Sequence, residues 1–233
     1  MGTVRRAGGG PGRPVRLGAF LGFVVLLQFG YPVTIHGPVW TALYLVAHVG
    51  VVLSGVVMVR GANDRIAPTA ATGAILLCCA AWVGATGGGG ASLVSMFAAG
   101  AAFQLALMYS LLRFVYRRSR THELEIVLAA VCVYLLLGGL FTTVFGALES
   151  LRPGSFADSA HPDGRVTWQQ FVYFSYVTLA TSGYGDVVPV SAWARSLSAA
   201  EGVVGTLFLT TVVARLVGAF TGIRREDGRA VTG

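Results

Sequence analysis

Apolar and polar residues are grouped along this chain in long blocks. Six blocks are mainly apolar: approximately Leu17–Val33, Val39–Val59, Thr69–Thr86, Ala91–Leu112, Leu124–Leu148 and Ala192–Val217. The hydrocarbon core of a bilayer is about 30 Å thick, so a spanning helix needs about 20 such residues. The pattern predicts an all-α membrane protein with six transmembrane helices, of which the first is short and contains Gln28.

The composition agrees with a membrane location. Only 12% of the 233 residues are charged, and the mean hydropathy is positive. A soluble domain cannot bury that much apolar surface. Short connections between the first four blocks predict antiparallel neighbours. The cysteines lie inside apolar blocks and the histidines are scattered, so we expect neither a disulfide, a metal site, a cofactor nor an enzyme active site.

All 17 basic residues are arginine, and their positions predict an orientation. With the N-terminus in the cytoplasm, three arginines lie outside (Arg152, Arg165 and Arg195) and fourteen lie inside (Arg5, Arg6, Arg13, Arg16, Arg60, Arg65, Arg113, Arg117, Arg118, Arg120, Arg215, Arg224, Arg225 and Arg229). Cytoplasmic loops carry such an excess of positive charge. We therefore expect a multi-pass cell membrane protein with both termini cytoplasmic, lipid as a partner and no nucleic acid.

The stretch between the fifth and sixth blocks is not uniform. Glu149–Gln170 is polar and contains prolines and glycines, which predicts an extracellular turret. Thr167–Leu179 then reads as an aromatic-rich helix of about 13 residues, which is too short to span a bilayer. Because irregular backbone survives at membrane depth only inside protein or beside water, the pattern predicts a re-entrant helix followed by an extended segment.

The extended segment follows directly, with the sequence Thr178-Leu179-Ala180-Thr181-Ser182-Gly183-Tyr184-Gly185-Asp186. Gly183 and Gly185 allow backbone angles that are closed to other residues, so successive carbonyls can turn toward one axis. A ring of such carbonyls replaces the water shell of a cation. Over roughly Thr167–Val217 the chain resembles the tetrameric potassium channels, whose pore segment reads T-x-x-T-x-G-Y-G-D.

This resemblance implies passive conduction of potassium through a selectivity filter, with K⁺ as the permeant ion. The carbonyls of Thr181, Ser182, Gly183 and Tyr184, with the Thr181 hydroxyl, would bind K⁺, and Gly185 would complete the filter. One segment cannot encircle an ion, so the resemblance also implies a homotetramer. The compact, Arg-only composition leads us to expect a prokaryotic source.

Several residues near the filter have expected supporting roles. Thr178, Tyr173 and Asp186 are the candidate filter supports. Phe174 and Tyr176 are either further aromatic braces or apolar packing residues of the short helix, and Phe174 has no donor for the Tyr184 hydroxyl. Gly205, 21 residues after Tyr184 (205 − 184), stands where the resemblance places the flexible glycine of the inner helix and is the candidate gating hinge. Packing is the alternative role for Gly205, since glycine also permits close helix contact. Glu201 is a carboxylate inside a predicted span and a candidate modulator of the pore or of the tetramer contact.

One position departs from the family pattern and leaves alternatives open. Ser182 stands where the family usually has Val or Ile, so a weakly selective cation channel is one alternative. A second is a non-conducting sensor or assembly subunit.

The predicted organisation is a basic tail (1–16), a four-helix domain (17–120), a pore domain (121–220) and a second tail (221–233). Because Ala91–Leu112 contains no basic residue, we expect weak voltage dependence.

Overall fold

The computed structural model describes residues 13–36, 46–56, 66–86, 90–117, 123–160 and 165–230. Most of them are helical, as predicted: α1 (Arg13–Phe29), α2 (Val46–Val56), α3 (Ile66–Thr86), α4 (Gly90–Arg117), α5 (Glu123–Leu151), α6 (Trp168–Leu179) and α7 (Ala192–Ala230), with a 3₁₀ helix at Tyr31–His36. Two short strands, β1 (Phe156–Asp158) and β2 (Val187–Pro189), form an antiparallel pair that the sequence pattern did not predict.

Three of the described helices are long and apolar enough to cross a membrane, over Gly90–Arg113, Leu124–Leu151 and Ala192–Ala214. The other apolar stretches are shorter and fall in the first three helices, at Val15–Phe29, Val46–Val56 and Pro68–Val83. The multi-pass character is thus supported, whereas the count of six spans stays a prediction. The predicted tail at 1–16 and both ends of the second predicted span lie largely outside the described residues.

The first and the last helix differ most from their predicted bounds. The first helix begins at Arg13 and ends at Phe29, before Gly30 and the Tyr31–His36 turn. Pro32 falls in that turn, where its ring and missing N–H no longer fit a continuing α-helix. The last helix continues beyond the apolar block to Ala230, so the described residues of the predicted second tail are helical.

The N-terminal helices pack around α5. Contacts join α1 to α5, α4 to α5 and α3 to α4. The buried side chains between them are apolar and come from α1, α2, α4 and α5: Leu17, Phe20, Val24, Val51, Val52, Phe103, Leu107, Leu111, Ala129, Cys132, Val133 and Leu136. The fifth helix therefore contacts both the N-terminal helices α1 and α4 and the later helices α6 and α7.

A second, mainly aromatic core holds the short helix α6 in place. Rings of Phe145, Phe156, Phe171 and Phe174 meet edge to face, with centroids 5.0–5.5 Å apart. Each edge-to-face pair stabilises the fold by about 0.5–1.5 kcal/mol beyond the contribution of the apolar area that it buries. Because these rings come from α5, β1 and α6, the turret strand is part of the core that supports α6.

Candidate functional site

The short helix α6 begins at a capping box. The Thr167 N–H donates to Oε1 of Gln170 at 2.7 Å, and the Thr167 carbonyl accepts the Phe171 N–H at 3.2 Å. This pairing satisfies groups that a helix start leaves without partners. The helix is 12 residues long and begins one residue later than predicted. Phe171, Ser175 and Leu179, spaced by four, are buried and turn one face into the protein.

The end of α6 uses the amide groups of the segment that follows it. The N–H groups of Thr181 and Ser182 donate to the carbonyls of Thr178 and Val177, each at 2.9 Å. The Gly183 N–H reaches the Val177 carbonyl at 3.4 Å. The last carbonyls of a helix need donors from outside it. The segment thus caps the helix, and its first three N–H groups are directed back toward α6.

The backbone of the segment alternates in handedness. Thr181, Gly183 and Gly185 have positive φ angles of 58°, 53° and 80°, whereas Ser182 and Tyr184 do not. Such alternation lets successive carbonyls face the same side, where a regular strand would alternate them. Among the described residues, no backbone or side-chain donor contacts the carbonyls of 181–185. These oxygens are available to a cation.

The carbonyl-bearing segment is open on this single chain. Residues 181–185 are all exposed, and 73% of the Tyr184 side chain is accessible. Exposed carbonyls without protein donors are accessible to a ligand from outside the chain. The predicted K⁺ ligands Thr181, Ser182, Gly183 and Tyr184 are therefore brought together on one open surface.

Two of the predicted supporting residues meet at the outer end of this segment. The ring of Tyr173 stacks on that of Tyr184, with centroids 6.4 Å apart and planes 7° from parallel. The Tyr173 side chain also lies close enough to the Asp186 side chain for the two to interact. The Asp186 carbonyl accepts the N–H and the hydroxyl of Ser159, both at 2.8 Å. The outer end is held by α6 and by the turret.

The other two aromatic residues contact different parts of the structure. Phe174 belongs to the aromatic core. Tyr176 donates its hydroxyl proton to the Leu135 carbonyl of α5 at 2.7 Å, and its ring lies 4.9 Å from that of Phe29. These two side chains therefore join α6 to the rest of the bundle, which is the packing role that was one of the two alternatives for them.

The turret supports the site in a way that sequence reasoning missed. In the β1–β2 pair Ala157 is opposite Val188, and Asp158 is opposite Val187. The buried Asp158 side chain accepts the Ala160 N–H at 2.9 Å and the Gln170 side-chain amide at 2.5 Å. The turret is thus tied to the start of α6 and to the residues that follow the filter. An isolated Asp in a polar stretch gives no local signal of such a role.

A disulfide should form across this strand pair without loss of structure. Opposite residues in antiparallel strands have Cα atoms about 4.5–5.5 Å apart, within the range that a disulfide spans. We expect the Ala157→Cys/Val188→Cys double variant, with the native cysteines replaced, to cross-link under mild oxidation. Mass spectrometry of the peptides measures it, with each single variant as control. Two reactive thiols that never cross-link would contradict the β1–β2 pairing.

The inner helix α7 approaches α6 very closely at Gly205. A Cβ atom built on Gly205 would lie 2.5 Å from the Leu179 carbonyl oxygen, whereas one on Gly202 would have its nearest neighbour, the Thr178 carbonyl oxygen, at 3.8 Å. The helix runs through both glycines without a break. This contact gives Gly205 a packing role, and a hinge role for it stays a prediction.

The candidate modulator Glu201 lies on the same helix and is fully buried, with 0% of its surface exposed. One carboxyl oxygen, Oε1, is 2.5 Å from the hydroxyl of Ser175 in α6. Ser175 is also fully buried and was missed from the sequence. A polar residue on the buried face of an aromatic helix was the signal that could have identified it.

Comparison with known proteins covers the second half of the chain. Residues 129–222, from α5 through most of α7, match the family described as "Ion channel". Over 93 residues the chain is 31% identical to the inward rectifier potassium channel Kirbac3.1 of Paramagnetospirillum magnetotacticum, covering 38% of this chain and 28% of that relative. No solved structure gives a significant match. The second half of the chain is thus similar to ion channels, and the chain spans less than a third of the length of the curated relative that it matches.

Proposed function

We propose that this protein, whose residues 129–222 match an ion channel family, conducts K⁺ passively across a membrane through a filter formed by Thr181–Gly185. The observation that carries the proposal is the backbone of that segment. Its first amides are bound by the end of α6, its φ angles alternate, and its carbonyls are free of protein donors within the described residues. Carbonyl rings of this kind bind dehydrated cations.

Four copies of the chain would complete the filter. One segment presents its carbonyls on one side only, and a ring needs several segments around an axis. The inner helix also leaves large apolar side chains uncovered, such as Val203, Leu207 and Val213, which are 59%, 60% and 56% exposed. Neighbouring subunits and lipid would cover them. A native mass equal to four chains of 24.3 kDa is the expected assembly.

The first four helices would form a separate membrane domain at 17–120 with six spans in the whole chain. The 17-residue α1 is at the lower limit of about 17 residues for a spanning helix. Both termini would be cytoplasmic and the filter would open to the outside. Arg113 is the last residue of the apolar span of α4 and Arg117 lies beyond it, so this helix would carry no charge through the middle of the membrane field.

The reversal potential of the purified protein in a lipid bilayer tests the proposed function. With K⁺ on one side and Na⁺ on the other, we expect a value close to the potassium equilibrium potential. The side chain of Ser182 replaces an apolar one, but its carbonyl is kept, so the oxygen ligands are unchanged. Absence of any current from protein shown to be tetrameric would contradict conduction and favour a sensor or assembly subunit.

The variant Ser182→Val separates the weakly selective alternative from the proposal. If Ser182 weakens the filter, the wild-type reversal potential lies near zero and the variant moves it toward the potassium value. If the filter is selective as it stands, both proteins give the potassium value. Ser198→Val is the control, because it makes the same change from serine to valine outside the filter. Ser198 lies in α7, where its hydroxyl donates to the Ala194 carbonyl.

A further inference from the structure

Three helices of the channel domain meet at one hydroxyl group. The Oγ atom of Ser175 in α6 lies 2.7 Å from the Gly138 carbonyl oxygen in α5 and 2.5 Å from Oε1 of Glu201 in α7. Both side chains have 0% exposed surface. These are the polar contacts that the structure shows for Ser175, and both distances are those of hydrogen bonds between oxygen atoms.

The number of protons available to the Ser175, Gly138 and Glu201 oxygens identifies the protonation state of Glu201. Two close oxygen contacts need two protons, yet a serine hydroxyl carries one and a backbone carbonyl carries none. If Ser175 donates to Gly138, the second proton has to come from the carboxyl group. We infer that Glu201 is a neutral carboxylic acid that donates to Ser175, which in turn donates to Gly138.

The surroundings of Glu201 agree with a neutral acid. Within the described part of the chain no arginine or histidine pairs with Glu201, and its Oε2 atom is buried without a hydrogen-bond partner. A charge left in this state would cost far more than a neutral group, because a buried carboxylate needs a cation or several donors. Protonation of Glu201 removes that charge, and the hydrogen bond from its carboxyl O–H gives the Ser175 oxygen a donor.

The chain of hydrogen bonds lies directly behind the filter. Ser175 is one helical turn before Leu179, whose carbonyl meets Gly205 of α7, and the carbonyls of residues between them hold the filter amides. Glu201 therefore acts as a positioning residue: through Ser175 it sets how α6 sits between α5 and α7. This mechanical role rests on the proposed function, whereas the proton assignment does not.

Infrared difference spectroscopy of the purified protein tests the proton assignment. A protonated carboxyl group has a carbonyl stretch clear of the amide bands, and a carboxylate does not. Near neutral pH we expect the difference between wild type and Glu201→Gln to contain this band. Ser175→Ala should shift the band without removing it, because the acid loses only its acceptor. Loss of carboxylate bands alone would overturn the assignment.

Potassium flux into vesicles tests the positioning role. Glutamine can still donate an N–H to Ser175, so we expect Glu201→Gln to retain flux within about twofold of wild type. Valine has no donor, and Glu201→Val should lower flux by about tenfold. Equal flux in the two variants, both shown to be correctly assembled, would overturn this role. If wild type conducts no K⁺, the proposed function fails while the infrared result still decides the proton assignment.

Discussion

Gly185→Ala is expected to abolish the preference for K⁺ over Na⁺. Gly185 has a φ of 80°, in the left-handed region where a Cβ costs about 1–2 kcal/mol per residue. In the proposed tetramer that cost occurs four times around one ion path. The peptide can relieve it by rotating, which turns a carbonyl away from the cation. The ratio of K⁺ to Na⁺ permeability, obtained from reversal potentials, measures the effect.

The turret offers a matched control for the same backbone strain. Gly154 has a φ of 84°, and a Cβ there meets nothing within 4 Å. Its N–H donates to the Glu149 side chain at 2.8 Å, a bond that alanine retains. Gly154→Ala should lose a similar amount of stability and keep wild-type selectivity. Equal loss of selectivity in both variants would show that general destabilisation, rather than carbonyl orientation, is being measured.

Gly205→Ala is expected to lower both potassium flux and thermal stability. The added Cβ would stand 2.5 Å from the Leu179 carbonyl oxygen, and a backbone atom cannot move aside as a flexible side chain can. Overpacking of this kind costs about 1–3 kcal/mol. Because Leu179 is the last residue of α6, the displacement passes directly to the filter. We expect flux to fall by at least about tenfold and the Tm of the purified protein to drop.

Gly202→Ala is the control in the same helix. Its Cβ would find its nearest neighbour at 3.8 Å, an ordinary contact, and alanine is favoured over glycine by about 1 kcal/mol in a helix interior. This variant should keep its flux and its Tm. The hinge role makes a different prediction for Gly205→Ala: gating would be lost while the Tm stays the same or rises. That outcome would remove the packing explanation.

Much of the fold was readable from local patterns. The blocks that became α3, α4 and α5 differ from their predicted ends by a few residues at most, except at the end of α4, because an apolar run of that length has few alternatives to a buried or membrane helix. The predicted short helix before Thr181 is present as α6. The positive φ angles at Gly183 and Gly185 likewise follow from residue type, since glycine accepts them at little cost.

The site also contains features that no local pattern indicates. The strand pair β1–β2 could not be predicted because its strands have three residues each, which is too few to show an alternation of apolar and polar residues. For Phe174 and Tyr176 the sequence left bracing of Tyr184 and helix packing both open, and in the structure they pack against other elements. An aromatic residue on a short helix has three or more possible neighbours, and only the positions of α5 and α1 select one.

The sequence by itself determined the membrane-compatible helices and the glycine positions of the segment after α6, because both depend on residue type within a few neighbouring positions. The tertiary structure alone decided which polar groups meet behind the filter. Ser175 is 26 residues from Glu201 and 37 from Gly138, and Ser159 is 27 residues from Asp186. Over such separations the partner of a buried polar group is set by helix packing, since the group bonds whichever donor or acceptor the fold places within reach.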